Sequence, residues 1–282
     1  MSLASLFIRD ADQLPRNPFD SPLDEVTQAV EALLAENPLD GRVPVISHER
    51  LSGYPHSGGF DSKMIADHLK DCFPEARIWC VIREQKSMVA SLYMHYLKNG
   101  GTDNLEKYLG RRYDGKRPGY SPEHIRYTPL VSYYQSQFGK SNVLVQPYEL
   151  FREDPVAFMT ELGDFLGVTV PTDELDFKVQ RNRHEEYNIV RRAPALNMFC
   201  RQTSLSGHSP MYIPALNRFL RSRVFRRRRG LLNLGLSRDY STRFKARVAE
   251  LVGDRYGASN RELSSLIGTD LSRFGYHEPL SP

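Results

Sequence analysis

Short apolar segments alternate with amphipathic helical segments over residues 43–167, and this alternation constrains the fold more than any other feature. The expected strands cover residues 43–47 (VPVIS), 77–82 (RIWCVI) and 142–146 (NVLVQ). Strands that are apolar along their whole length are typical of parallel sheets whose two faces are covered by crossover helices. We therefore predict an α/β fold with a three-layer parallel sheet.

Capping residues and apolar spacing predict where the connecting helices begin and end. One helix is expected over about residues 22–36, and Asp61 is expected to cap the next one. Asp154, followed by proline, is expected to cap a helix that stops before Gly167. Residues 102–138 are predicted to form a helical insertion before the third strand.

Composition excludes several classes of protein. The chain has 282 residues, of which 40% are hydrophobic, which is more than disordered chains carry. No apolar stretch approaches the roughly 20 residues that a transmembrane helix needs, and residues 1–10 do not resemble a secretory signal. The three cysteines form no CxxC motif. We therefore expect no disulfide framework, no metal site and a reducing, cytoplasmic location.

Positive charge is concentrated in residues 181–229. This segment has twelve arginines, no lysine and two acidic residues, a net charge of +10 in a chain of net charge +4. Arginine without lysine favours planar, bidentate recognition of phosphate, sulfate or carboxylate. A solvated charged face and a nucleic-acid-binding arm are the alternatives. Because the aromatic residues have no spacing typical of a nucleic-acid module, we do not expect nucleic acid as a partner.

Polar side chains follow each of the three expected strands, as HER at 48–50, REQ at 83–85 and YE at 148–149. Ligands of parallel sheets bind beyond the carboxyl ends of the strands. Arg83 precedes a predicted helix, whose free N–H groups favour an anion, and Ser91 lies two turns into that helix. The two side chains could grip one phosphate from two sides. Alternatively, Arg83 is a structural ion-pair partner and Ser91 an ordinary helix serine.

Residues 46–101 and 143–168 resemble the PAPS-dependent sulfotransferase family, in its bacterial, carbohydrate-type branch. The match is good over about residues 43–167 and weaker over 250–277, which include YGASNRELSSLIGTDL and the closing RFGY. The spacing of Arg83 and Ser91 matches the family's motif for the donor's 3′-phosphate.

This resemblance implies a nucleotide-binding sheet of the P-loop type and an enzyme. It would move a sulfuryl group from PAPS (3′-phosphoadenosine 5′-phosphosulfate) to a hydroxyl or amine of a carbohydrate or glycolipid. The product is adenosine 3′,5′-bisphosphate, and no metal is needed. The domain is expected to span residues 1–282, with 43–167 as its core, 168–237 as an irregular, arginine-rich acceptor-side region and 240–277 as a helical tail.

The resemblance also implies a general base directly after the first expected strand, which is histidine in some branches and glutamate in others. Both occur here, as His48 and Glu49. Neighbouring strand residues point to opposite faces, so only one is expected to reach the site. Glutamate suits the carbohydrate branch, so we favour Glu49 and keep His48 as the alternative. Alternatively, both residues cap or salt-bridge the following loop, for example through an ion pair of Glu49 with Arg50. A late basic loop of the family that contacts the 3′-phosphate would correspond to Arg227, Arg228, Arg229 and Gly230.

The chain departs from the family at its N-terminal end. The family's first strand and its K-x-G-T-T phosphate-binding loop have no counterpart, because residues 1–42 contain no lysine and no glycine before Gly41. The loop could lie upstream of residue 1, residues 226–229 could replace it, or the chain could be an inactive relative that binds nucleotide or polyanion. Without that strand we expect an open sheet edge and poor solubility.

Overall fold

The structure is a computed structural model that describes residues 23–37, 39–110, 113–114, 117–177, 197 and 237–278. Arg227, Arg228, Arg229 and Gly230 lie outside the described residues, as does all of the arginine-rich segment except Asn197. The described residues form two compact units. The first unit contains the described residues within 23–83, 117–175 and 256–278. The second unit contains the described residues within 84–114, 176–177 and 237–255, and residue 197. The single-domain organisation stays a prediction.

The described helices and strands, in chain order, are these. They are α1 (Leu23–Glu36), α2 (Ser62–Cys72), β1 (Ile78–Ile82), α3 (Gln85–Lys98), α4 (Leu105–Gly110), β2 (Tyr113–Asp114), β3 (Arg117–Pro118), α5 (Tyr127–Phe138), β4 (Val143–Pro147), α6 (Tyr148–Glu153), α7 (Pro155–Leu166), α8 (Ser237–Val252) and α9 (Gly257–Ile267). The fold is therefore mixed α/β and mostly helical. No described helix combines the length and the apolar character that crossing a membrane requires.

Two of the three expected strands pair in parallel, as the sequence predicts. Ile78 of β1 lies opposite Val143 of β4, and the register continues to Ile82 opposite Pro147. Both strands therefore end at the same edge of the sheet, and the residues that follow them are brought together. Within the described residues the sheet has only these two strands, so the full three-layer sheet stays a prediction.

The predicted strand at residues 43–47 is wrong. These residues have no regular secondary structure, and Val45 is 63% exposed. A strand forms when a neighbour accepts its backbone hydrogen bonds and covers its apolar face. No described strand pairs with this segment, and Pro44 lacks an N–H group to donate.

One face of β1 is only partly covered. Ile82 is buried, whereas Trp79 and Val81 are 37% and 47% exposed, so the expected burial of both faces is wrong for this strand. The Trp79 ring lies 5.8 Å from Phe158 of α7, and its indole N–H donates to Gln146 Oε1 at 2.8 Å. Apolar surface therefore remains on this face of β1, and the poor solubility expected from an open sheet edge stays a prediction.

The predicted helix ends agree with the structure, except that Asp61 does not cap α2. The Asp154 carboxylate accepts the N–H of Ala157 at 2.9 Å, and α7 stops at Gly167, whose φ of +73° suits glycine. Helix α1 also begins within one residue of its expected start. Helix α2 starts after Asp61 as predicted, but the Asp61 carboxylate makes no capping hydrogen bond.

The core of the first unit is built around α5, which contacts α2, α9, β1 and β4. The Thr128 hydroxyl hydrogen-bonds the backbone oxygen of Ser259 at 2.9 Å, which ties α5 to α9. After α9, a short turn (Leu271–Phe274) leads to the buried Tyr276. In the second unit α3 packs against α8, where the rings of Tyr93 and Phe244 stack at 6.0 Å.

Candidate functional site

Arg83 and Tyr148 meet at the edge where β1 and β4 end. Each is the first residue after its strand, and the parallel register places the two strand ends side by side. The Arg83 guanidinium carbon lies 5.5 Å from the centre of the Tyr148 ring, as in a cation–π contact. The hydroxyl of Tyr127 donates to the Arg83 backbone oxygen at 2.7 Å and anchors the strand end on α5.

Arg83 carries a positive charge that no carboxylate of the described residues neutralises. Its side chain is half-buried, and it forms no ion pair with any described residue. The alternative of a structural ion pair is thus not realised within the described part of the chain. Because a partly desolvated guanidinium is stabilised by an anion with two oxygens that accept its parallel N–H groups, this position is suited to a phosphate or sulfate.

The exit of β4 also holds an acidic group and the end of the C-terminal tail. Tyr276, from the RFGY segment, donates its hydroxyl to Glu149 Oε2 at 3.2 Å. The tail is therefore fixed next to the strand ends. The sequence predicted the helical tail but not this contact, because the two residues are 127 positions apart.

The start of α3 differs from the expectation of free N–H groups. The Glu84 carboxylate caps this helix and accepts the N–H groups of Lys86 and Ser87, each at 2.8 Å. A carboxylate at this position interacts favourably with the helix dipole and occupies amides that a bound anion would use. Any anion site that includes Arg83 must therefore rely on side chains rather than on these two amides.

Ser91 lies on α3 in the second unit and is half-buried. Its hydroxyl makes no hydrogen bond to any described residue. A hydroxyl without a protein partner is available to a ligand, but Arg83 belongs to the first unit. That the two side chains share one phosphate stays a prediction.

His48 and Glu49 differ in what their side chains do. His48 Nδ1 accepts the backbone N–H of Arg50 at 3.1 Å and caps the short turn Glu49–Ser52. In a neutral imidazole only one ring nitrogen has a free lone pair. The Nδ1 lone pair of His48 is thus already engaged by the Arg50 N–H. The exposed Glu49 carboxylate forms no hydrogen bond or ion pair with the described residues.

No group of three or more His, Cys, Asp or Glu side chains that could hold a metal ion occurs among the described residues. Sequence analysis missed Tyr148 and Tyr127 as neighbours of Arg83. For Tyr148 a signal existed, because it directly follows an expected strand. Tyr127 had none, since it lies 44 residues from Arg83 in an insertion helix.

No family model and no curated protein sequence matches the chain. Among solved structures, it is similar to a sulfotransferase from Alicyclobacillus acidocaldarius. The two are 23% identical, the match covers 56% of this chain and 64% of that chain, and the TM-score is 0.36. The match thus spans less than two thirds of that protein, and a similarity this limited carries no argument about function.

Proposed function

We propose that the chain is a sulfotransferase that binds PAPS through Arg83 and moves its sulfuryl group to a hydroxyl or amine of a glycan. The single observation that supports this proposal is the half-buried Arg83 guanidinium beyond the carboxyl ends of two parallel strands. It lies over the Tyr148 ring and has no carboxylate partner among the described residues. The family resemblance of the sequence around Arg83 and Ser91 supplies the identity of the anion.

In the proposed site Arg83 and Ser91 hold the donor's 3′-phosphate. Residues 227–230 are proposed to contribute further positive charge, from sequence alone. Tyr148 fixes the orientation of the guanidinium through the cation–π contact. Since Glu84 occupies the first amides of α3, the phosphate is bound by side chains.

The proposed transfer resembles phosphoryl transfer, in which positioning and charge stabilisation supply most of the rate enhancement. The acceptor oxygen or nitrogen forms a bond to sulfur while the bond between sulfur and the bridging phosphate oxygen breaks. Adenosine 3′,5′-bisphosphate leaves with that electron pair. The acceptor proton passes to the Glu49 carboxylate, which we prefer to His48 because the His48 ring is already engaged.

The alternative function is nucleotide binding without transfer, by a relative that has lost the chemistry. The observation that favours it is that residues 1–282 contain no K-x-G-T-T motif. A cytoplasmic location is proposed from the cysteines. Cys72 and Cys80 are free thiols, and Cys200 lies outside the described residues.

Ligand-induced stabilisation tests the binding step. Adenosine 3′,5′-bisphosphate at 100 times its Kd is expected to add about 2.7 kcal/mol to the free energy of unfolding and so to raise Tm. Arg83→Ala should weaken binding by about 10–100-fold, the value of one charge-assisted contact. Arg152→Ala is the matched control, because Arg152 is exposed on α6 and has no ion pair among the described residues.

Two further measurements separate the alternatives. Ser91→Ala should weaken binding of the bisphosphate, whereas Ser87→Ala, one turn earlier on α3, should not. Transfer of labelled sulfuryl from PAPS to a glycan mixture distinguishes an enzyme from a binding protein. Equal binding by the natural protein and the Arg83→Ala variant would refute the proposal.

A further inference from the structure

Residues 48–62, called the exit loop below, are held by a hydrogen bond within the loop and by another to α5. The Ser62 hydroxyl donates to the Ser52 backbone oxygen at 2.8 Å and closes the loop on itself. The Tyr134 hydroxyl of α5 donates to the Leu51 backbone oxygen at 3.1 Å. Burial raises the pKa of Tyr134, so this hydroxyl stays protonated and remains a donor.

The buried carboxylate of Asp61 contacts residues near the start of the exit loop. Its Oδ1 accepts the backbone N–H of Tyr54 at 2.8 Å, and its Oδ2 lies 3.8 Å from Arg50 Nη2. The side chains of Arg50 and Asp61 are only 20% and 9% exposed, and the Arg50 guanidinium lies over the Tyr54 ring at 4.8 Å. Asp61, Arg50 and Tyr54 thus form one contiguous cluster.

The orientation of Asp61 is specific to this cluster. A residue at the start of a helix commonly uses its carboxylate to cap that helix, but Asp61 makes no such bond to α2. The carboxylate is turned to the exit loop instead. Since a buried charge is costly without a neighbour of opposite charge, removal of Arg50 takes a cation away from the Asp61 carboxylate, and removal of Asp61 takes an anion away from the Arg50 guanidinium.

The Glu49 side chain makes no hydrogen bond or ion pair in the described part of the chain, so its position depends on the backbone on either side. His48 caps the turn that contains it, and Arg50 is held by Asp61. We infer that Asp61 is a positioning residue that fixes the conformation of residues 48–50 and thereby the place of the Glu49 carboxylate. The part that concerns Glu49 as a base rests on the proposed function.

A second contact holds the exit loop independently of Asp61. Gly59 has a φ of +64°, and a Cβ atom there would lie 2.1 Å from His124 Nδ1. The loop therefore packs closely against the turn Pro122–Ile125. Because this contact persists without the Asp61 charge, Asp61→Asn should loosen residues 48–54 and leave the rest of the unit folded.

Hydrogen exchange of the full chain measures this loosening without any substrate. Asp61→Asn keeps an acceptor for the Tyr54 N–H but removes the charge that holds Arg50. The amides of residues 50–54 are expected to exchange at least about tenfold faster, since hydrogen bonds to charged groups are the stronger class. Arg50→Gln should speed exchange of the same amides, and this variant replaces Asp61→Asn in the test if Asp61→Asn does not fold. Asp71→Asn, at an exposed position on α2, is the control.

Kinetics test the positioning of the base. Asp61→Asn is expected to lower kcat for sulfuryl transfer at least about tenfold, because a displaced carboxylate accepts the proton poorly, while the Kd for adenosine 3′,5′-bisphosphate stays unchanged. Unchanged exchange in both variants would overturn the inference, and so would a tenfold exchange effect with kcat unaltered. If the natural protein binds no bisphosphate, the proposed function fails, and exchange alone still decides whether Asp61 fixes residues 48–50.

Discussion

Gln146 links β4 to β1 and α7, and its replacement by leucine should destabilise the protein. The side chain is fully buried. Its Nε2 donates to the Phe158 backbone oxygen at 3.1 Å and to Glu161 Oε2 at 2.7 Å, and its Oε1 accepts the Trp79 indole N–H at 2.8 Å. Leucine has a similar volume, so Gln146→Leu removes three hydrogen bonds and creates little empty space.

The expected loss in the free energy of unfolding depends on whether each former hydrogen-bond partner of Gln146 keeps or finds another partner. A buried polar group left without a partner costs about 1–3 kcal/mol, whereas one that reaches water costs much less. The Phe158 carbonyl lies within α7 and keeps its helical hydrogen bond, Trp79 is 37% exposed and the Glu161 side chain is exposed. The loss is therefore that of three ordinary hydrogen bonds, about 1 kcal/mol each. After allowance for the added apolar burial of leucine, we expect a loss of about 2 kcal/mol in the free energy of unfolding.

Urea unfolding followed by circular dichroism and by the fluorescence of Trp79, which is the chain's sole tryptophan, measures this loss. Gln137→Leu, at a half-buried position of α5, is the control and should change stability by less than about 0.5 kcal/mol. A Gln146→Leu variant within about 0.5 kcal/mol of the natural protein would refute the reasoning. In that case the buried amide would contribute no more than an apolar side chain of equal size.

Three further predictions concern the first unit. Asp154→Ala should cost about 1 kcal/mol in urea unfolding, because the α7 cap is lost. Gly59→Ala should cost at least about 1 kcal/mol more than Gly167→Ala, since both have positive φ but only at Gly59 would a Cβ atom clash, with His124. Burial lowers the pKa of His124 from 6.5, so unfolding titrations should show stability falling as the pH drops below 6.5, and His124→Gln should reduce that dependence.

The sign of the pH effect follows from proton uptake. Below 6.5 the unfolded chain binds a proton at this histidine, whereas the buried imidazole resists protonation until a lower pH. The unfolded state therefore gains stability as the pH falls. An equal slope of stability against pH in the His124→Gln variant would contradict this assignment. For the glycines, equal costs at the two positions would show that the His124 ring moves aside freely.

Much of the candidate site was accessible from the sequence. Arg83 could be found because it directly follows an apolar strand and precedes a helix, and both are local signals. For His48 the sequence left a base and a cap of the following loop as alternatives, because a histidine beside a glutamate fits both roles equally well. Only the 3.1 Å contact of its Nδ1 with the Arg50 N–H distinguishes the two.

Local sequence determined β1, β4 and the ends of α7, because apolar periodicity, an aspartate cap and a glycine stop act within a few residues. Tertiary structure decided the rest. Residues 43–47 have the composition of a strand but remain irregular, since a strand also needs a partner from a distant part of the chain. The Asp61 carboxylate likewise does not cap α2 but accepts the Tyr54 N–H and lies beside Arg50. A buried carboxylate is stabilised by whichever donors the fold brings near.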